Sequence, residues 1–240
     1  MNFKRFFQEY GASFRLINLQ SSCRKIPLPT RSPIISEQKL GEGFIQLCPW
    51  EGEYLFAVAQ HARLGIVEIG RFLGGSTFLL AHAAPKGVPI YSIDLAPQED
   101  ERLRRMFTAS GKKLRKIHLI IGDSQKGRFP EIGPYDLLFI DGDHSYEGCS
   151  ADIANWYGGL ARNGDMLFHD SHKQGVQEAV ANFIAAHPKA QVLVSPFMGS
   201  WYWENPHGSL SHLVKRESPG WRASALLRRV FRHSRATSKC

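Results

Sequence analysis

The chain has 240 residues, 43% hydrophobic and 22% charged, an ordinary globular composition that excludes disordered, collagen-like and coiled-coil classes. The formal net charge of +8 is uneven: residues 1–31 carry +5, residues 215–240 carry +7, and residues 32–214 carry −4. The basic excess belongs to the ends, so it does not mark the body of the chain as a nucleic-acid binder.

Three segments are expected: a lead-in over 1–50, a folded domain over 51–214 and a basic tail over 215–240. Phe3, Phe6, Phe7 and Tyr10 beside Lys4 and Arg5 suggest a short basic amphipathic piece suited to an anionic surface or acidic partner. Glu9, Gly11 and Arg15 interrupt any signal-peptide core. Residues 21–49, rich in Ser and Pro, read as an extended lead-in. Strands and helices then alternate. A helix is expected over Glu53–Arg63 and a strand over Ile66–Ile69, ending at Gly70. A helix over Ser76–Ala84 stops before Pro85. A strand over Pro89–Ile93 ends in Asp94, and a charged helix over Gln98–Ser110 is stopped by Gly111. The strand Ile117–Ile121 ends in Gly122-Asp123, and the strand Tyr135–Ile140 ends in Asp141. A helix over Tyr146–Leu160 precedes a strand over Asp165–Phe168, which ends in His169-Asp170. The helix Gly175–Ala186 and the strand Gln191–Val194 complete the alternation. Beyond them, Trp201-Tyr202-Trp203 reads as an edge hairpin or an acceptor-binding wall.

Each strand is a short, nearly continuous apolar run, as expected when both faces are covered. The fold class that follows is α/β, a doubly wound parallel sheet with right-handed crossovers. Such sheets bind ligands beyond the carboxyl ends of their strands. Gly70, Asp94, Asp123, Asp141 and Asp170 occupy those ends, so one edge of the sheet concentrates carboxylates.

The four cysteines (Cys23, Cys48, Cys149 and Cys240) are far apart with no CxxC pair, which predicts free thiols in a reducing cytoplasm. No apolar run approaches the ~18–20 residues of a membrane span. Trp221 to Arg235 mixes apolar residues at helical spacing with five arginines, so an anionic membrane surface or an acidic partner is the expected contact of the tail. Nucleic acid is disfavoured, and homo-oligomerisation is left open.

Between the first strand and its helix lies Glu68-x-Gly70-x-x-x-Gly74-Gly75-Ser76. It is neither the dinucleotide pattern G-x-G-x-x-G nor a P-loop. Asp94, twenty residues beyond Gly74, is placed to accept ribose hydroxyls, and Asp123-Ser124 to flank an adenine. Together these describe an adenosine pocket without a pyrophosphate clamp. Asp141 and Asp170, at adjacent strand ends, are placed to share Mg²⁺ or Mn²⁺. Such an ion would acidify a coordinated hydroxyl, with His144 as the base that takes its proton.

Those motifs, with Asp136 to His144 and Gly164 to Asp170, resemble class I S-adenosylmethionine-dependent methyltransferases over roughly residues 60–200. The blocks at 139–156 and 164–170 are most similar to bacterial small-molecule O-methyltransferases, including those acting on macrolide sugars. The resemblance implies a Rossmann-like, mostly parallel seven-stranded sheet with an antiparallel last strand. It implies a methyltransferase (EC 2.1.1 type) using S-adenosylmethionine on a small hydroxylated acceptor, a sugar or natural product. It places Glu68, Gly70 and Gly74 at the methionine part of the cofactor, with Ser76 also in the cofactor set, Asp94 on the ribose, and Asp123 and Ser124 near the adenine. It makes Asp141 a metal ligand and His144 the base, with Asp170 and His169 completing the metal site. His169 stands where those relatives carry an acid. Two other functions stay open: an RNA methyltransferase using the basic ends, and a non-catalytic cofactor-binding module. The acidic body and the lack of an RNA-binding module weigh against the first.

Overall fold

The computed structural model describes residues 1–13, 43–114, 116–194 and 210–216. Helices α1 (Phe3–Tyr10) and α2 (Pro49–Ala59) lead into β1 (Ile66–Ile69). There follow α3 (Gly75–Ala83), β2 (Ile90–Asp94), α4 (Asp100–Ala109) and β3 (Ile117–Ile121). Next come β4 (Tyr135–Ile140), α5 (Tyr146–Trp156), β5 (Leu160–Phe168), α6 (Gln174–Ala186), β6 (Gln191–Val194) and β7 (Ser211–Val214). Residues 195–209 and 217–240, which hold the aromatic segment and nearly all of the basic tail, lie outside the described residues, as do Cys23 and Cys240. Among the described residues no helix is long and apolar enough to cross a membrane.

The strands form one seven-stranded sheet in the order β3-β2-β1-β4-β5-β7-β6. The pairs from β3 to β5 are parallel, whereas β7 runs antiparallel to both β5 and β6. This is the Rossmann-like methyltransferase arrangement with its antiparallel strand. The central strands are mostly apolar because helices cover both faces; β1 is buried at all four positions, Glu68 included. The chain moves outward from β1 to β2 and β3, then returns to place β4 on the other side of β1. That reversal opens a crevice between the ends of β1 and β4, where such sheets take their ligands.

Two elements differ from their expected bounds for local reasons. Helix α2 begins at Pro49 rather than Glu53, with proline at its first position and Glu51 accepting from the Cys48 amide at 2.8 Å. That is a capping arrangement, and both residues are start signals. Helix α5 ends at Trp156, before a 3₁₀ turn over Tyr157–Gly159. Gly158 and Gly159 are poor helix formers, and the Tyr135 hydroxyl bonds the Trp156 carbonyl. The freed residues extend β5 back to Leu160, through a break in register between Tyr135 and Leu137 of β4.

Strand β7 is the antiparallel last strand that the resemblance implies; no local pattern marks its residues, because His212 makes the run look polar. Its ring nitrogens meet the Tyr54 hydroxyl at 2.7 Å and Asp165 Oδ1 at 2.9 Å, so a buried histidine is satisfied from α2 and β5.

The N-terminal piece packs inside the molecule. Phe6 and Tyr10 of α1 are buried. Their rings lie 5.4 Å from Phe56 and 5.1 Å from Phe78 between centroids. This face is part of the core and not a surface-binding stripe. Phe44, Ile45 and Leu47 are buried in the same cluster.

Within it sits His82, whose Nδ1 lies 2.8 Å from the Phe78 carbonyl. Burial pushes its imidazole down to about 4. The unfolded chain therefore binds a proton that the folded one refuses between pH ~6.5 and ~4, and stability must fall as pH drops through that window. From this group alone the loss is expected to approach about 3 kcal/mol. Urea titrations at pH 7, 5.5 and 4.5 measure it, and His82→Leu should flatten this part of the acid limb.

Candidate active site

A cavity of about 680 Å³ lies over the β1–β4 crevice, within the range of small-molecule sites. Gly70, Ser76, Asp94, Asp123, Ser124, Asp141, His144, His169 and Asp170 all line it. Topology brings these sequence-predicted residues together from the ends of five strands. Glu68 and Gly74 do not line it.

The loop after β1 explains that division. Gly70 has φ +88°, and a Cβ there would stand 2.0 Å from the Asp141 carbonyl oxygen. Only glycine lets β1 leave the sheet so close to β4. Gly74, at φ +85°, is the N-cap of α3. Glu68 is fully buried behind the loop and accepts from Thr77 Oγ1 at 2.5 Å and Ser92 Oγ at 2.6 Å. Burial raises its carboxyl against the opposing bonds from Ser76, Ser92 and Thr77. It braces the loop and helix from behind.

Arg71, which no local pattern singles out, is 1% exposed. Its guanidinium makes a two-pronged ion pair with Asp100 of α4, at 2.7 and 3.2 Å. It also donates to the carbonyls of Ser92 at 2.6 Å and Ile120 at 3.3 Å. Arg71 thus ties the loop to β2, β3 and α4. Asp94 fixes it from the cavity side: Oδ2 accepts from the Arg71 and Phe72 amides at 2.9 and 2.8 Å. Oδ1 holds a longer bond to the Ala96 amide, at 3.3 Å.

At the end of β3, Asp123 Oδ1 caps a 3₁₀ turn by accepting from the Gln125 amide at 3.0 Å. Ser124 Oγ donates to Asp152 Oδ1 at 2.7 Å, which leaves the hydroxyl oxygen as an acceptor. Asp152, 1% exposed on α5, was not foreseen, since nothing near it in the chain marks it. Burial lifts its carboxyl to about 6.

The remaining residues meet beyond β4 and β5. His144 Nε2 is buried without a hydrogen-bond partner. It lies 3.5 Å from Asp141 Oδ1 and 3.4 Å from Asp170 Oδ2. His169 Nδ1 lies 3.0 Å from Asp141 Oδ1, and its Nε2 lies 3.2 Å from Glu51 Oε2. Burial opposes a charge on His169, but the Asp141 charge and the bonds to Asp141 and Glu51 raise it well above the ordinary imidazole range. Burial likewise opposes the Asp141 carboxylate, and His169 together with His144 outweighs it and holds it low. Asp170 is held low in the same way, by His169 and by Lys173, whose Nζ lies 2.7 Å away. Asp143 points elsewhere: it accepts from the Ser145 amide and from Gln125 Nε2.

Among the described residues, Asp141, His144 and Asp170 offer ligand atoms that all lie within 4.8 Å of one another. His169, expected from the sequence among the metal ligands, is not in that set; its two ring nitrogens lie against Asp141 and Glu51. Glu51, which takes one of them, comes from α2, 118 residues away in the chain.

Residues 67–171 match a family model described as a methyltransferase domain. No curated protein sequence matches. Solved structures of the same fold include an SAH-bound methyltransferase of Podospora anserina, PaMTH1, at 17% identity and TM-score 0.56, covering 72% of this chain and 80% of that one. The O-methyltransferase of Bacillus cereus in complex with SAH matches at 20% identity and TM-score 0.53, over 70% and 82% of the two chains. The O-methyltransferase TomG of Streptomyces achromogenes, in complex with SAM and involved in tomaymycin synthesis, matches at 15% and 0.53, over 77% and 87%.

Proposed function

We propose that the chain, whose residues 67–171 match a methyltransferase-domain model and hold most of the cavity's polar residues, is an S-adenosylmethionine-dependent O-methyltransferase acting on a small hydroxylated acceptor, a sugar or natural product. The observation that carries this is the single cavity joining Asp94, Asp123 and Ser124 at one end to Asp141, His144 and Asp170 at the other. When bound, S-adenosylmethionine supplies a methyl group on a sulfonium, the electrophile of the transfer.

The residues fit that group. Asp94 spends Oδ2 on the loop amides and leaves Oδ1, with its one long bond, to accept from the ribose. Asp123 and Ser124 offer acceptor oxygens for an adenine amino group. The Gly70 turn and Ser76 bound the space for the methionine part. At the reacting end His144 would take the proton from the acceptor hydroxyl, freeing an oxygen electron pair for the methyl group that the cofactor would supply. Asp141 and Asp170 lie beside the ring that becomes positive. Most of the acceleration is expected from holding the acceptor oxygen in line.

Mg²⁺ or Mn²⁺ is a poorer fit. The carboxylates it would bind already face protein cations, His169 against Asp141 and Lys173 against Asp170. No step here passes through a metal.

Calorimetry with S-adenosylhomocysteine tests the reading. The wild type should bind it, and NAD should not compete. Asp94→Asn keeps one acceptor oxygen for two tasks, the loop amides and the ribose, and should bind about tenfold more weakly. Absence of binding by the folded wild type would overturn the proposal.

A further inference from the structure

Lys173 is the N-cap residue of α6, and its side chain reaches the reacting end of the cavity. Nζ lies 2.7 Å from Asp170 Oδ2 and 3.1 Å from His144 Nδ1. An ammonium only donates, so Nδ1 accepts and the hydrogen of the neutral ring belongs on Nε2. Nε2 faces Asp141 and Asp170. The lone pair that a base needs is therefore the one Lys173 covers. On the far side, His169 has a carboxylate against each ring nitrogen, and two acceptor partners call for a hydrogen on both nitrogens. The two acids at the centre of the cluster thus each have a protein cation beside them.

We propose that the Lys173 ammonium fills the electrostatic place a divalent cation would take at this cluster. An acceptor hydroxyl displaces Nζ from His144 Nδ1 and takes its place between the two groups. It donates its hydrogen to Nδ1 and accepts one from the ammonium. As the proton passes to His144, the negative charge growing on oxygen meets a fixed positive charge, and the imidazolium that forms keeps its Nε2 hydrogen toward Asp141 and Asp170. This rests on the O-methyltransferase reading above. It also sets an acceptor class: one hydroxyl suffices, and a chelating pair of neighbouring hydroxyls brings no advantage.

Titration of the full chain with Mn²⁺, followed by calorimetry, tests the electrostatic claim without cofactor or acceptor. The wild type should bind Mn²⁺ no tighter than about 1 mM. Lys173→Met removes the competing charge and should bind it at least about tenfold tighter, whereas Lys173→Arg, which keeps the charge, should behave as the wild type. Lys173→Gln is the second charge-removing variant should the methionine lower the melting temperature. A wild type that binds Mn²⁺ at about 10 µM or tighter overturns the proposal. So does a folded Lys173→Met or Lys173→Gln protein that gains nothing. S-adenosylhomocysteine binding is read separately: its loss sinks the methyltransferase reading, while tight Mn²⁺ binding with it intact sinks only the role of Lys173.

Discussion

Truncating His144 to Ala is expected to slow methyl transfer by about 10²- to 10⁴-fold, the usual contribution of a positioned general base. The measurement is mass gain on an acceptor found by screening sugars, glycolipids and phenols with the wild type. S-adenosylhomocysteine affinity should stay within a few fold, because the adenosine-facing residues stand at the other end of the cavity. His144→Gln should not recover the rate, since an amide cannot take the proton. A variant as fast as the wild type would mean that the proton leaves by another group.

Arg71→Met is expected to cost about 3–5 kcal/mol of stability, because it leaves Asp100 without its partner in a largely buried site. It also leaves the carbonyls of Ser92 and Ile120 without that donor. Urea denaturation of wild type and variant measures this. The double variant Arg71→Met, Asp100→Leu should recover part of the loss, since replacing both members of a buried pair costs less than stranding one. A single-variant loss below about 1 kcal/mol would place the guanidinium in a wetter environment than its 1% exposure describes.

Much of this architecture was legible in the sequence, for a physical reason. Ile66–Ile69, Ile117–Ile121, Tyr135–Ile140 and Gln191–Val194 occupy the residues their patterns predict. Buried parallel strands such as Ile66–Ile69 and Tyr135–Ile140 are short, mostly apolar runs, and glycines, prolines and aspartates punctuate the chain around them. The strand-end residues were legible too, because a parallel sheet sends its carboxyl ends to one edge. What local pattern cannot carry is partnership across the chain. Asp100 is 29 residues from Arg71, Lys173 is 29 from His144, and Glu51 is 118 from His169. None of these pairs belongs to a motif, yet they decide which charges face the cavity. His169 shows the cost: its position beside Asp170 suggests a ligand, and only the fold reveals Glu51 on its other side. Pro49 and Glu51, by contrast, were readable as a helix start, and the expected helix began four residues too late.

The place of β7 in the sheet bears on how the molecule is made. It lies between β5 and β6 and is hydrogen-bonded to both, while among the described residues β6 pairs with no other strand. During synthesis β5 therefore emerges with one open edge and β6 with no partner at all, until residues 211–214 arrive. Open strand edges invite pairing with other chains. The nascent protein thus passes through a late, association-prone interval that ends only when a four-residue strand slides into a waiting slot. A released chain ending shortly before Ser211 would hold an almost complete but unsealed sheet, with β5 open along one edge.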